Sequence, residues 1–130
     1  DAGGVVYYAN YLKYLERART EALSNIGLSN TKIKNDFGTL IIVKSCNIEY
    51  KKSAHLEDNL QIKSYINSIS KTSLIMNQSI FNSSSKRADF LYSILHDLTI
   101  IRVPNFFLIF VLLRPILNKA SVLALSKNFK

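Results

Sequence analysis

Asp1-Ala2-Gly3-Gly4-Val5-Val6-Tyr7-Tyr8-Ala9-Asn10-Tyr11, running directly into Leu12-Lys13-Tyr14-Leu15-Glu16-Arg17-Ala18-Arg19-Thr20-Glu21, decides how this chain is read. It sets a carboxylate, a two-glycine turn and a helix start side by side. The first N–H groups of a helix lack partners and carry a partial positive charge of about half a unit. They therefore stabilise an oxyanion held against them, a geometry suited to acyl transfer. Gly3 and Gly4 permit tight turning and close approach of a ligand. Asp1 then stands where a nucleophile or general base would act. Taken alone, such a loop before a helix is more often a plain turn.

Outward from this stretch, residues 10–26 read as a helix. Tyr11, Leu15, Ala18, Ala22 and Ile26 form one apolar stripe at spacings of three and four, with Asn10 as N-cap and Gly27 as stop. Glu16 and Arg19 can pair on its outer face. After a polar stretch at 29–36 the period falls to two. Leu40-Ile41-Ile42-Val43 leads into Cys46, Ile48 and Tyr50. Leu60, Ile62, Ser64 and Ile66 alternate with Gln61, Lys63 and Tyr65, and Leu74, Met76 and Ile80 share a face in a third strand. A helix followed by successive antiparallel strands predicts an α+β fold with the sheet packed on the helix. Beyond a loop at 83–87, residues 88–96 read as a short helix and 98–103 as a strand. Pro104 and Pro115 bracket the run Phe106-Phe107-Leu108-Ile109-Phe110-Val111-Leu112-Leu113, whose period fits neither template.

Composition sets limits. The 130 residues suffice for one core without staples. Cys46 is the only cysteine, which removes an internal disulfide or a cysteine-based zinc site, and it reads as a small buried apolar residue. His55 and His96 have no His or Cys at ligand spacing, so no metal is expected. The net charge is +8, unevenly spread: residues 1–82 carry ten basic and seven acidic groups, and residues 83–130 seven and two. Such a surface favours anionic ligands. No zinc-finger or RNP motif accompanies it, so nucleic acid is not an expected partner. The longest apolar run has eight residues, against about 20 for a membrane-spanning helix, so no transmembrane segment is expected.

The string Asp1-x-Gly3-Gly4-Val5-Val6-Tyr7-x-x-x-Tyr11, with residues 14–21 after it, resembles the hotdog-fold acyl-CoA thioesterases. The nearest pattern is the Tol–Pal-associated group, akin to 4-hydroxybenzoyl-CoA thioesterase. The likeness continues through Ser45-Cys46-Asn47-Ile48-Glu49-Tyr50, through Ala54-His55-Leu56-Glu57-Asp58-Asn59-Leu60-Gln61-Ile62 and through Lys71-Thr72-Ser73-Leu74. It implies a hotdog fold, a curved antiparallel sheet wrapped around one long helix. The first strand is missing and the last is not matched by the family pattern. Residues 1–82 would form an N-terminally truncated hotdog core, and residues 83–130 a divergent or frameshifted C-terminal segment.

The resemblance also implies roles. Asp1 is the catalytic carboxylate, the backbone N–H of Tyr8 polarises the thioester carbonyl, and Glu16 supports the site from behind. Gly4, Val5 and Tyr7 border the substrate. Lys71, Thr72 and Ser73 lie where relatives hold the CoA nucleotide, with Lys71 as a phosphate contact. The expected reaction is hydrolysis of an acyl-CoA thioester to free acid and CoA, with no cofactor, since CoA belongs to the substrate. The expected assembly is a homodimer or homotetramer, with acyl-carrier protein as a further partner. The expected location is the cytoplasm, at the inner face of the inner membrane. The alternative is a non-catalytic, truncated hotdog remnant, or a module that binds acyl-CoA or acyl-carrier protein.

Overall fold

A computed structural model describes residues 2–55, 57–70, 73–83, 89–101 and 127–129. The elements run in the order α1 (Asn10–Asn25), α2 (Asn30–Phe37), β1 (Leu40–Tyr50), β2 (Leu60–Ile69), β3 (Ser73–Asn82), β4 (Asp89–Ile101) and β5 (Lys127–Phe129). The five strands form one sheet in the order β1-β4-β3-β2-β5, and every pairing is antiparallel.

The apolar stripe of α1 packs on this sheet. Tyr11, Leu15, Ala18 and Ala22 are buried, as their spacing predicts, while Ile26 is half-buried. Two clusters share the load. Tyr11, Leu15 and Ala18 meet Ala54, Leu60, Ile62 and Ile80 near the head of the helix. Leu23 meets Leu28, Ile33, Leu74 and Met76 near its end. Each large side chain fully buried this way contributes about 1.5–3 kcal/mol. The ladders shift register between Val43 and Ser45, between Ile66 and Ser68, and between Ile80 and Phe81. Such irregularities bend strands and add twist, which lets the sheet curl round the helix.

Helix α1 ends in a full Schellman motif. The Gly27 N–H donates to the Ser24 carbonyl at 2.9 Å and the Leu28 N–H to the Leu23 carbonyl at 2.8 Å, with Gly27 at φ +83°. The expected start is corrected. Ala9, not Asn10, occupies the N-cap position, and no side chain caps the helix. The polar stretch at 29–36 is also a helix rather than a connection. Ser29 caps it by accepting from the Lys32 N–H at 3.2 Å, and Ile33 is its single buried residue. One apolar anchor on eight residues leaves almost no periodic signal.

Two further expectations change. Of the stretches 88–96 and 98–103, read as helix then strand, the described residues 89–101 form the single strand β4, which lies between β1 and β3, and positions 88, 102 and 103 lie outside the described residues. Cys46 is exposed rather than buried, because β1 is an edge strand and most of its residues remain open to solvent. The apolar run at 106–113 and both prolines lie outside the described residues. Among the described residues no helix is long and apolar enough to cross a membrane.

In β3, Leu74, Met76, Gln78 and Ile80 alternate inward. Gln78 is fully buried; its Nε2 donates to the Ser64 Oγ at 2.8 Å and to the Leu15 carbonyl at 3.2 Å. A Gln78→Leu substitution strands the buried Ser64 hydroxyl and should cost about 1–3 kcal/mol in urea unfolding. Adding Ser64→Ala should recover most of that loss, and a double variant no more stable than the single one would refute the pairing.

Candidate active site

The opening motif folds into a turn that leads into α1. Gly4 adopts φ +71° and a Cβ built on it meets nothing within 4 Å. Its requirement is therefore conformational, not one of clearance. Gly3 lies in the same turn but is not left-handed, so only Gly4 of the pair needs the freedom of a glycine there. Val5 forms an isolated antiparallel bridge with His55, and the Val6 N–H donates to the Ala54 carbonyl at 2.8 Å. The Asn10 N–H then closes on the Tyr7 carbonyl at 2.9 Å. Tyr8 sits in this turn, and no backbone carbonyl among the described residues accepts its N–H.

Tyrosines clamp the turn in place. The Tyr11 hydroxyl, almost wholly buried, accepts the Ala54 N–H at 3.0 Å. The Tyr50 hydroxyl donates to the Tyr8 carbonyl at 3.4 Å. Burial, then the neighbouring Cys46, Tyr8 and Tyr11, push the Tyr50 phenol above its ordinary value, so it remains a donor throughout the neutral range. The Tyr7 phenol is raised chiefly by its hydrogen bond with the Tyr8 side chain, the two rings lying 4.5 Å apart. Tyr11 meets Tyr14 and Tyr50 edge-on at 6.3 and 6.1 Å. The tyrosines thus serve packing and turn geometry.

Beside the turn lies a cleft of about 310 Å³, lined by Val5, Val6, Tyr8, Tyr11, Tyr50, Lys51, Lys52 and Ser53. It is at the small end for a ligand site. Tyr50, Lys51 and Lys52 are not among the site residues predicted from the sequence. A lysine pair at the close of an alternating strand was the available signal.

The other expected site residues fall elsewhere. Asp1, Lys71 and Thr72 lie outside the described residues. Glu16 pairs with Arg19 one turn along, as expected, and accepts from the Thr20 hydroxyl at 3.3 Å; it does not line the cleft. Burial of the Arg19 guanidinium lowers its pKa, and the same guanidinium offsets part of the partial desolvation that pushes the thiol of the surface residue Cys46 up. Ser73 opens β3 beside the end of β2, whereas the Tyr8 turn sits by the start of β2 near Ala54 and Leu60. The length of β2 separates them by about 30 Å at the usual rise per residue. One chain therefore does not bring Ser73 and Tyr8 to a common point. The Asp58 carboxylate accepts the His55 N–H at 2.8 Å and closes the turn that carries Ala54.

A domain with this helix, sheet and turn is a hotdog domain, and comparison with known proteins agrees. The family model described as the thioesterase superfamily matches residues 3–88. The chain belongs to that superfamily. It is 39% identical over 85 residues to the acyl-CoA thioester hydrolase YbgC of Escherichia coli, a match that takes in 65% of this chain and 63% of that protein. The chain thus matches less than two thirds of the length of that relative. Among solved structures, the DHNA-CoA thioesterase of Staphylococcus aureus superposes with a TM-score of 0.77 at 23% identity, covering 95% of this chain and 83% of that one. The 4-hydroxybenzoyl CoA thioesterase of Pseudomonas superposes with a TM-score of 0.71 at 20% identity, covering 77% and 74%. At these identities the two structures speak to the fold.

The clamp gives a direct expectation. Tyr11→Phe keeps the ring but leaves the buried Ala54 N–H without its acceptor, which should cost about 1–3 kcal/mol. Denaturant unfolding measures it; an unchanged midpoint would remove Tyr11 from the role of anchor.

Proposed function

We propose that the chain hydrolyses an acyl-CoA thioester to free acid and CoA. The observation that carries this is the Tyr8 N–H at the head of α1, beside the cleft and with no backbone acceptor among the described residues. The Asn10 and Leu12 N–H groups are taken up by the Tyr7 and Ala9 carbonyls, so the donor offered to an oxyanion is the Tyr8 N–H, beside the positive end of the helix. Membership of the thioesterase superfamily supports the same reading.

In this mechanism the thioester carbonyl oxygen rests on the Tyr8 N–H and the positive end of α1. The carboxylate of Asp1 either takes a proton from water as it attacks, or attacks the carbonyl itself and is released by water in a second step. Either route consumes one water and breaks the C–S bond. The oxygen of water ends in the acid, and the thiolate leaves and takes up a proton. Gly4, Val5 and Tyr7 hold the turn that borders the acyl carbon, and Glu16 keeps Arg19 neutralised against β1.

A homodimer or homotetramer completes the site. The distance between Ser73 and the Tyr8 turn supports a phosphate contact at Lys71, Thr72 and Ser73 delivered to the Tyr8 site by a second copy. Among the described residues β1 has a sheet neighbour on one side only, and its Leu40, Ile42 and Val43 are each about two-fifths exposed, which supports pairing between copies. A cytoplasmic setting at the inner face of the inner membrane, alongside Tol–Pal, and acyl-carrier protein as an additional thioester donor belong to the same proposal.

Thiol release from a series of acyl-CoA esters tests it. Asp1→Asn should lower kcat by about 100-fold or more, with the circular dichroism spectrum unchanged. Undiminished hydrolysis by that variant would sink the assignment of the acid, and no hydrolysis by the native chain would sink the reading itself.

A further inference from the structure

The chain enters α1 through tight bonds that reach back three residues rather than four. The Asn10 N–H donates to the Tyr7 carbonyl at 2.9 Å and the Leu12 N–H to the Ala9 carbonyl at 3.2 Å. A regular helical bond from Leu12 would have engaged the Tyr8 carbonyl instead. That carbonyl is thereby released from the helix ladder, and among the described residues no main-chain donor takes it. The group that reaches it is the Tyr50 hydroxyl at 3.4 Å, carried by the last residue of β1.

Two peptide planes meet at the Tyr8 Cα, and each has its carbonyl held. The first joins the Tyr7 carbonyl to the Tyr8 N–H, which point in opposite directions across a planar trans peptide. Asn10 draws that carbonyl toward the helix and so turns the N–H away from it. The second plane carries the Tyr8 carbonyl, and freeing it would let the two planes rotate against each other about Cα. Tyr50 is a firm donor for this purpose: its ring lies edge-on to Tyr11 at 6.1 Å, and Tyr11 is itself anchored on Ala54. Taking the thioesterase reading as its basis, we propose that Tyr50 is a positioning residue, whose hydroxyl holds the Tyr8 carbonyl and thereby aims the Tyr8 N–H at the oxyanion. It acts through the main chain, although its side chain also borders the cleft. The bond is long and Tyr50 is 44% exposed, so its loss hardly alters stability. A donor displaced by about 1 Å costs up to about 100-fold in rate, so the loss is felt in the chemical step.

Tyr50→Phe removes the hydroxyl and keeps the ring. With an acyl-CoA ester that the native chain hydrolyses, this variant should lose about tenfold in kcat while KM changes by no more than about twofold, and its urea midpoint should stay where it was. A second variant carries the α-hydroxy analogue of tyrosine at position 8, which replaces the Tyr7–Tyr8 amide by an ester and deletes the N–H. It should lose about 100-fold or more. Adding Tyr50→Phe to it should cost no more than about a further twofold, because no donor is left to aim. Losses that multiply would mean that the hydroxyl acts on the substrate directly. An unchanged kcat in Tyr50→Phe, with or without a lowered midpoint, would leave the hydroxyl no part in the reaction, and an ester variant as active as the native chain would leave it no donor to position. Any of these three results overturns the proposal and leaves thioester hydrolysis standing. Absence of hydrolysis by the native chain would remove the thioesterase reading and this one together.

Discussion

The head of α1 is held by one residue of the connection between β1 and β2. Ala54 has both its backbone groups engaged: its N–H is accepted by the buried Tyr11 hydroxyl and its carbonyl receives the Val6 N–H. The first bond ties down the helix and the second ties down the chain entering it. The intervening residues are thereby fixed in a turn with few conformational choices, and Gly4 supplies the one backbone angle a side chain would resist. The cleft, the Tyr8 N–H and the lysine pair all take their positions from this knot. It is also economical chemically, because a wholly buried peptide N–H left unpaired would be costly.

The two ends of α1 are made differently. Its C-terminus is a local device, a glycine and two backbone hydrogen bonds that would form in almost any context. Its N-terminus has no side-chain cap and depends on tertiary contacts. Helix α2 shows the contrast within the same chain, since Ser29 satisfies one of its first donors directly. At the head of α1 the Asn10 and Leu12 donors turn instead to the Tyr7 and Ala9 carbonyls of the entering chain.

Much of this was legible in the sequence. The inward residues of α1, β2 and β3 follow from their spacing, because those elements turn one face to the core. Legibility failed where that condition failed. Helix α2 buries only Ile33 and so has almost no stripe. Strand β4 lies between two others, and its run of apolar and polar residues does not alternate as a half-exposed strand would, which allowed part of it to pass for a helix. Cys46 looks buried by alternation, but β1 is an edge strand and the outcome depends on what lies beside it. In the site, the glycines and the helix start were readable as local chemistry. Tyr50, Lys51 and Lys52 were not, because only the folded chain brings them to residues more than forty positions earlier.

The strand order also sets a timetable. Among the described strands β1 comes first along the chain, yet its neighbour in the sheet is β4, with Leu40 opposite Ile101. Strands β2 and β3 can pair as soon as their short connection emerges, but β1 must wait with its ladder open until β4 arrives. Such distant pairings pay their loop-closure entropy before any ladder forms, and folding slows accordingly. During that interval Leu40, Ile42 and Val43 lie on an unpaired strand, which makes a growing chain most vulnerable to association at the very segment that later closes the sheet.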